Sequence, residues 1–427
     1  MATLGELADS SGGAVRTGPF GSQLHSSDYV AGLDGVPVVM PKDMSGGYVD
    51  YSTIARIGQR KAAELRQHVT APGDILLARR GEIGRCALVK EKDAGTLCGT
   101  GCIRISIQGS AVIPTFLHRF LLAPATASRL EGMAVGATMA NLNAGIVRSL
   151  PVPVPPMDEQ VHIVTVLSAY DDLIENNGRR IQILEEMAQA IYREWFVELR
   201  FPRHEDVQMV DSELGPIPEG WTVQALGHLC LRVTDGAHMS PPSVLDGYPM
   251  ASVKDMTPRS INLDGCRRIA PAHYEELVRQ DCKPREGDVL IAKDGSYLKH
   301  VFVVERECDL AILSSIALLR PGAALDPWIL ALHLRQPETK DRLASYVSGA
   351  AIPRIVLRDF MSFPVVLPPP QLQEAFVKKA RPMLVLALRL EEANAVLRRA
   401  RDLLLPRLIS GEIDVSNLDI GSAEPAA

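Results

Sequence analysis

The residues best placed to do chemistry lie in a turn. Ala78-Arg79-Arg80-Gly81-Glu82-Ile83-Gly84-Arg85 sets three arginines and two glycines directly after an apolar, strand-like run. Arginine at such a turn reaches phosphate oxygens or makes a bidentate contact to guanine. A second turn, Ala292 to His300 (AKDGSYLKH), is again basic and glycine-containing and supplies Lys293, Lys299 and His300. The polar loop Ser22 to Ser27 adds Gln23 and His25, and Lys42, Lys254, Asn141 and Asn143 complete the set. Asparagine and glutamine suit adenine, whereas lysine more often holds phosphate. The plainer alternative for both turns is a solvated hairpin tip. Catalytic chemistry is poorly supplied. The chain has no G-x-x-x-x-G-K-[ST] phosphate loop, no H-E-x-x-H, no G-x-S-x-G and no Asn-Pro-Pro-aromatic stretch. Gly99-Thr100-Gly101 lacks the third glycine of a dinucleotide loop, and Asp288 with Lys293 lacks the second acid of a nuclease core.

The elements that must position these residues are written twice. Leu150 to Gln160 (LPVPVPPMDEQ) returns 213 residues later as Phe363 to Gln373 (FPVVLPPPQLQ). Gly35 to Met44 (GVPVVMPKDM) pairs with Gly247 to Met256 (GYPMASVKDM) at an offset of 212, and Gly73 to Ala78 with Gly287 to Ala292 at 214. Val135 to Thr138 pairs with Ser348 to Ala351 at 213. A near-constant offset over four separated segments means two copies of one unit, each a module of roughly 150 residues plus a helical segment of roughly 55. The two basic turns are therefore equivalent positions with different side chains, as two readers of different sequences require.

Each proline block introduces a long helix. Leu167, Ile174, Ile181, Ala188 and Trp195 recur every seven residues, with Tyr170, Asn177, Leu184 and Ile191 three residues on. The second segment offers Met383, Leu390, Leu397 and Leu404 as one row, with Leu386, Ala393 and Ala400 as the other. These are a/d seams, with Asn177 as a register-fixing polar position. The two helices are expected to pair as a coiled coil and to span on the order of 55 Å, the second ending near Pro406 and closed by Gly411. The alternative is that both pack into ordinary cores. Within the modules, strands are expected at Val36–Met40, 74–78, Cys86–Val89 and 102–107. In the second copy they are expected at 288–292, Val301–Val304 and 312–319, with helices at 113–123 and 327–334. This is a mixed α/β or α+β module.

Composition bounds the rest. The chain has 427 residues, 46% of them apolar, enough for two or more cores. No apolar run reaches the ~18 residues of a membrane span, and Met1 to Gly13 does not read as a signal peptide. Seven cysteines without a zinc spacing read as buried apolar thiols of a reducing cytoplasm. The net charge is −6, but residues 151–214 alone carry −8, leaving the modules free to hold a basic patch.

With these residues in view, the chain resembles the specificity subunit of type I restriction-modification systems. The resemblance rests on Gly18-Pro19-Phe20-Gly21-Ser22, on Leu150 to Gln160 leading into a helix, and on Leu167 to Ile174 (LSAYDDLI) with Trp195-Phe196. Leu214 to Trp221 (LGPIPEGW) and Leu405 to Ile413 (LPRLISGEI) extend it over almost the whole chain. Two departures stand out: Leu372-Gln373 replaces Glu-Gln, and no Pro-Phe-Gly turn follows Asp235-Gly236. The resemblance implies two similar α/β target-recognition domains, 1–150 and 205–366, separated by conserved helical spacers, 151–204 and 367–415, with a tail at 416–427. The spacers would form an antiparallel coiled coil. Each domain would read one half of a bipartite, asymmetric duplex DNA site. The helices would dock two methyltransferase subunits, with restriction subunits joining the assembly. Methyl donor and ATP belong to those partners, so this chain should hold no cofactor and no metal. The expectation is a non-catalytic, cytoplasmic DNA-recognition subunit without a membrane partner. A protein-only scaffold is the competing class, distinguished by whether either module carries a basic face. An enzyme would need clustered acids or a donor pocket.

Overall fold

The computed structural model describes all residues except 33, 108–110, 137–140, 296–297, 350–352 and 416–427. The repeat segments at Ala137-Thr138 and Ala350-Ala351, Ser296 and Tyr297 of the second basic turn, and the tail lie outside the described residues. The chain folds into two units: residues 1–175 with the chain from Asn394 onward, and Asn176–Ala393.

In unit 1 the central sheet contains β1 (Ala14–Thr17), β2 (Ile75–Ala78), β3 (Cys86–Leu88) and β4 (Cys102–Ser106), in the antiparallel order β1-β4-β2-β3. Two short strands, Tyr48–Val49 and Met44–Ser45, extend it beyond β3. In unit 2, β5 (Cys230–Asp235), β6 (Val289–Ala292), β7 (Val301–Val303) and β8 (Ile316–Pro321) repeat the order as β5-β8-β6-β7. A second sheet also recurs. Leu97–Cys98, Val36–Val39, Ala55–Ile57 and Tyr29–Val30 in unit 1 match Ala311–Ile312, Tyr248–Ala251, Arg267–Ile269 and Ser243–Val244 in unit 2. In each, the first pair of that series is parallel.

The alternation of side chains explains why β2 and β6 read as unbroken apolar runs. Ile75 and Leu77 join one core cluster and Leu76 and Ala78 another. Val289 and Ile291, and Leu290 and Ala292, divide in the same way. A strand covered on both faces has no polar side to show. The expected strand at 312–319 is corrected: Ala311–Ile312 belongs to the second sheet and Ile316–Pro321 to the central one. Ser314 and Ser315 interrupt the apolar run, and the Ser315 hydroxyl accepts from the Val253 N–H at 3.0 Å, which turns the chain from one sheet to the other.

The long helices are α1 (Met157–Tyr192), continued by a π-helical turn at Arg193–Val197, and α2 (Pro370–Ile409). Each is reached through a strand that pairs with the start of its own module. Val152 lies opposite Ala2, and Pro364–Leu367 pairs with Thr222–Ala225. Within unit 1 the helices run antiparallel: Asn394 Nδ2 donates to the Ile174 carbonyl at 3.1 Å, Arg401 pairs with Asp171 at 2.6 Å, and the Val415 carbonyl lies 2.8 Å from His162 Nδ1. Ile163, Val164 and Leu167 share a core with Leu405 and Leu408. Within unit 2, Ala188, Tyr192 and Trp195 share one with Phe376, Ala380 and Leu384.

The α1 seam falls where expected. Leu167, Asn177, Ile181, Ala188 and Trp195 are buried, and Ile174, Leu184 and Ile191 half-buried. The α2 seam is displaced by one residue. Met383, Leu390, Leu397 and Leu404 are half-buried and Leu386 is exposed, while Leu384, Ala387, Asn394, Leu405 and Leu408 are buried. Pro406 does not end α2, because in the last turn its missing N–H removes a single hydrogen bond. The helix stops three residues later, with Gly411 at φ +73°.

His118 is 0% exposed in unit 1, beside the Tyr48 ring at 5.9 Å, and burial pushes its imidazole down to about 3. Its folded value lies below the unfolded one, so the stability it contributes is complete above pH ~6.5 and is lost as pH falls toward ~3. The expected loss is about 1.4 kcal/mol per pH unit in that window. Urea unfolding at stepped pH should show this slope, and His118→Phe should flatten it.

Candidate nucleic-acid interface

The basic turn of unit 1 is built on backbone bonds. The Arg79 N–H donates to the Gly101 carbonyl at 2.9 Å, and the Arg79 carbonyl accepts from Leu142 at 2.9 Å. The Ala78 N–H closes the loop on the Arg85 carbonyl at 2.8 Å. Gly84, at φ +90°, is required twice over, since a Cβ there would also lie 2.8 Å from the Ala127 Cβ. Arg79 is 6% exposed, and its Nε donates to Asn141 Oδ1 at 3.1 Å. Burial first, and the charge of Arg80 second, lower its pKa from the ordinary guanidinium value. Arg80 is exposed, with Nε 3.5 Å from the same Asn141 oxygen. One amide thus orients two guanidiniums, a buried one and a solvent-facing one.

The corresponding turn of unit 2 keeps this frame. The Lys293 N–H donates to the Ser315 carbonyl at 3.0 Å, its carbonyl accepts from Ile355 at 3.2 Å, and the Ala292 N–H reaches the His300 carbonyl at 2.9 Å. The side chains differ. Lys293 is 6% exposed, with Nζ 2.7 Å from Asp235 Oδ2. Arg354 lies 3.4 Å from Asp294, exposed on the short strand beside the turn. Lys299 is exposed. His300 is half-buried, its Nδ1 is without a partner among the described residues, and burial, then Lys299 and Arg335, lower its pKa.

The remaining candidates separate into contacts that spend the side chain within the module and side chains that face solvent. Arg85 donates to the Pro41 and Met44 carbonyls at 3.3 Å each and pairs with Glu82. Lys42 reaches the Thr53 carbonyl at 3.2 Å from the turn Pro41–Asp43. Lys254 occupies the matching turn, Val253–Asp255, and is exposed. Asn143 caps the helix Ala144–Arg148 by accepting from the Ile146 N–H at 2.9 Å. Gln23 accepts from the Phe20 N–H at 3.1 Å within its own loop, and His25 is exposed, its N–H on Asp28 at 2.7 Å. The structure therefore gathers Arg79, Arg80 and Asn141, and joins Arg85 to the Lys42 turn. No contact links Asn143, Gln23 or His25 to either group among the described residues. Sequence reasoning passed over Asp235 as the Lys293 partner and Arg354 altogether.

Gln160 and Gln373 hold the modules to the helices that follow. Gln160, 0% exposed, accepts from the Ile113 N–H at 2.9 Å and donates to the Ala111 and Pro155 carbonyls at 3.1 and 2.9 Å. Gln373 repeats all three bonds: Asp326 N–H at 3.0 Å, and the Ala324 and Pro368 carbonyls at 2.9 Å each. The Glu-to-Leu departure at position 372 leaves this device intact.

Among the described residues no cluster of His, Cys, Asp and Glu is arranged to hold a metal ion, and no helix is long and apolar enough to cross a membrane. All seven cysteines are unpaired. Cys98 is buried and its thiol is pushed up to about 12 by burial.

The type I restriction modification DNA specificity domain family matches residues 30–186. The MjaIX type I restriction enzyme specificity subunit of Methanocaldococcus jannaschii is 25% identical over 393 residues, 90% of this chain and 88% of that protein. The HindI specificity subunit of Haemophilus influenzae is 23% identical, over 80% of this chain and 86% of its own. The crystal structure of a type I restriction-modification system S subunit from M. genitalium aligns with a TM-score of 0.54 at 16% identity, covering 95% of this chain and 94% of that one, a likeness of fold. Two modules of one strand order, a long helix after each, and relatives matched over most of their length agree: the chain is similar over most of its length to type I restriction-modification specificity subunits.

Proposed function

We propose that the chain recognises a bipartite, asymmetric duplex DNA site and directs partner methyltransferase and restriction subunits to it, without catalysis or cofactor of its own. Residues 1–150 and 205–366 act as the two target-recognition domains. The helical segments 151–204 and 367–415 act as the spacer on which two methyltransferase subunits dock. The observation that carries this reading is the basic turn. Its backbone bonds are the same in both units, while Arg79, Arg80 and Asn141 in one are replaced by Lys293, Asp294 and Arg354 in the other. A shared frame with altered side chains is how one scaffold reads two different half-sites, bases being distinguished by side chains and phosphates by position. Arg80, Lys254, Lys299 and Arg354 face solvent and are the foremost contacts, with Gln23 and His25 as further solvent-facing candidates. Arg79 and Lys293 support the turn.

Methylation-sensitive sequencing of host DNA with and without the gene tests this. The expected result is a split motif of fixed spacing that loses its methyl mark on deletion. A methylome that does not change on deletion contradicts the reading.

A further inference from the structure

One place in the repeated unit is open in unit 1 and closed in unit 2. Between the turn at Gly46-Gly47 and the helix residues of unit 1 lies a cleft of about 820 Å³. In unit 2 the corresponding space measures about 30 Å³. The repeat offset supplies the cause: Gly47 corresponds to Arg259 at 212, and Glu185 to Arg398 at 213. Arg259 fills the unit 2 space, its guanidinium 2.8 Å from Glu185 and 3.3 Å from Glu391, and Arg335 holds the other Glu185 oxygen at 2.9 Å. In unit 1 no such plug can be grown. Gly47 has φ +87°, and a Cβ there would lie 2.9 Å from Leu122 Cδ1 and 3.1 Å from His118 Cε1. At the Glu185 position the charge is reversed to Arg398.

The open cleft is basic within an acidic chain: seven basic side chains line it against five acidic ones, while the chain carries −6. On its floor Arg119 and Arg401 both pair with the carboxylate of Asp171, and Arg401 also donates to Asp402 at 2.8 Å. The Arg119 side chain is 5% exposed, and its Nε has no hydrogen-bond partner among the described residues. Lys90 lies 4.0 Å over the Tyr48 ring. At the rim Lys92 and Arg398 are exposed, with no ion pair among the described residues. Apolar surface from Met44, Leu122, Leu167 and Leu405 completes the walls.

We infer that this cleft is an anion site for a phosphate-bearing ligand of up to nucleotide size, present once per chain. A buried guanidinium with an unused N–H, an excess of basic over acidic lining side chains and free cations at the rim leave positive charge that an added anion satisfies. Guanidinium forks match phosphoryl oxygens in geometry. The volume lies within the roughly 300–1,000 Å³ of small-molecule sites. The inference stands apart from the DNA reading, because the phosphate can come from a free ligand or from a nucleic-acid backbone.

Calorimetric titration of the full-length chain with inorganic pyrophosphate tests it. Saturable binding at one site is expected. Arg398→Glu and Lys92→Glu should each weaken it about tenfold or more, while Arg60→Glu, whose side chain is 96% exposed and does not line the cleft, should leave it unchanged. With the site present, competition by a short duplex assigns the phosphate to DNA, and undisturbed pyrophosphate binding beside duplex assigns it to a free ligand. Absence of saturable binding overturns the inference, as does equal weakening by Arg60→Glu.

Discussion

Gln160→Leu and Gln373→Leu should each cost on the order of 3–6 kcal/mol, among the largest single-residue losses in the molecule. Each amide is buried and makes three hydrogen bonds to backbone, tying the first turn of a long helix to the module before it. Leucine fills a similar volume but leaves one N–H and two carbonyls without partners, at about 1–3 kcal/mol for each group that water does not reach. Glutamate would not rescue: it keeps an acceptor for the N–H, loses both donors and brings a charge into the site. Urea unfolding of the single variants, read with the parent's m-value, checks this. A change below about 1 kcal/mol at either position would mean that the backbone groups find other partners and that the repeated glutamine is incidental.

These glutamines mark what a sequence can and cannot reveal here. Their positions are legible, since proline blocks 213 residues apart each end in glutamine. Their partners are not, because the bonded backbone lies 47 and 49 residues upstream of Gln160. The same limit governs the basic turns. The offset equates Arg79 with Lys293, yet burial depends on Asn141, 62 residues away, and on Asp235, 58 residues away in the other direction. Short strands hide topology for a related reason. Elements of two to six residues carry too little periodicity to say which sheet they join, so 312–319 read as one strand although its ends belong to two. The α2 seam went astray because polar residues occupy it. Counting apolar heptads selects Met383, Leu390, Leu397 and Leu404, whereas the buried row runs through Asn394 and passes Arg401, where it pairs with Asp171.

Lys293 and Lys299, six residues apart on one turn, should behave as opposites. Lys293→Met should cost about 3–5 kcal/mol, because it strips the Asp235 carboxylate of its lysine partner and leaves it only the His238 ring, 3.2 Å from Oδ1. Adding Asp235→Leu should recover much of that loss, since a buried ion pair replaced by apolar groups of similar volume is often neutral. Lys299→Ala should leave stability within about 0.5 kcal/mol, the side chain being exposed. Its effect belongs to binding: if Lys299 holds a phosphate, the slope of log affinity against log salt for the DNA complex should shrink by about 0.9, with the preferred sequence unchanged. Thermal unfolding separates the first pair of variants, and a salt series with cognate and scrambled duplexes reads the second. Should Lys293→Met fold with parental stability and lower the salt slope, the ion pair with Asp235 would have to open on DNA, and Lys293 would move from supporting the turn to contacting the backbone. The two lysines thus test whether the basic turn divides its labour as the geometry indicates, with one cation spent inward to fix the loop so that the other meets the nucleic acid.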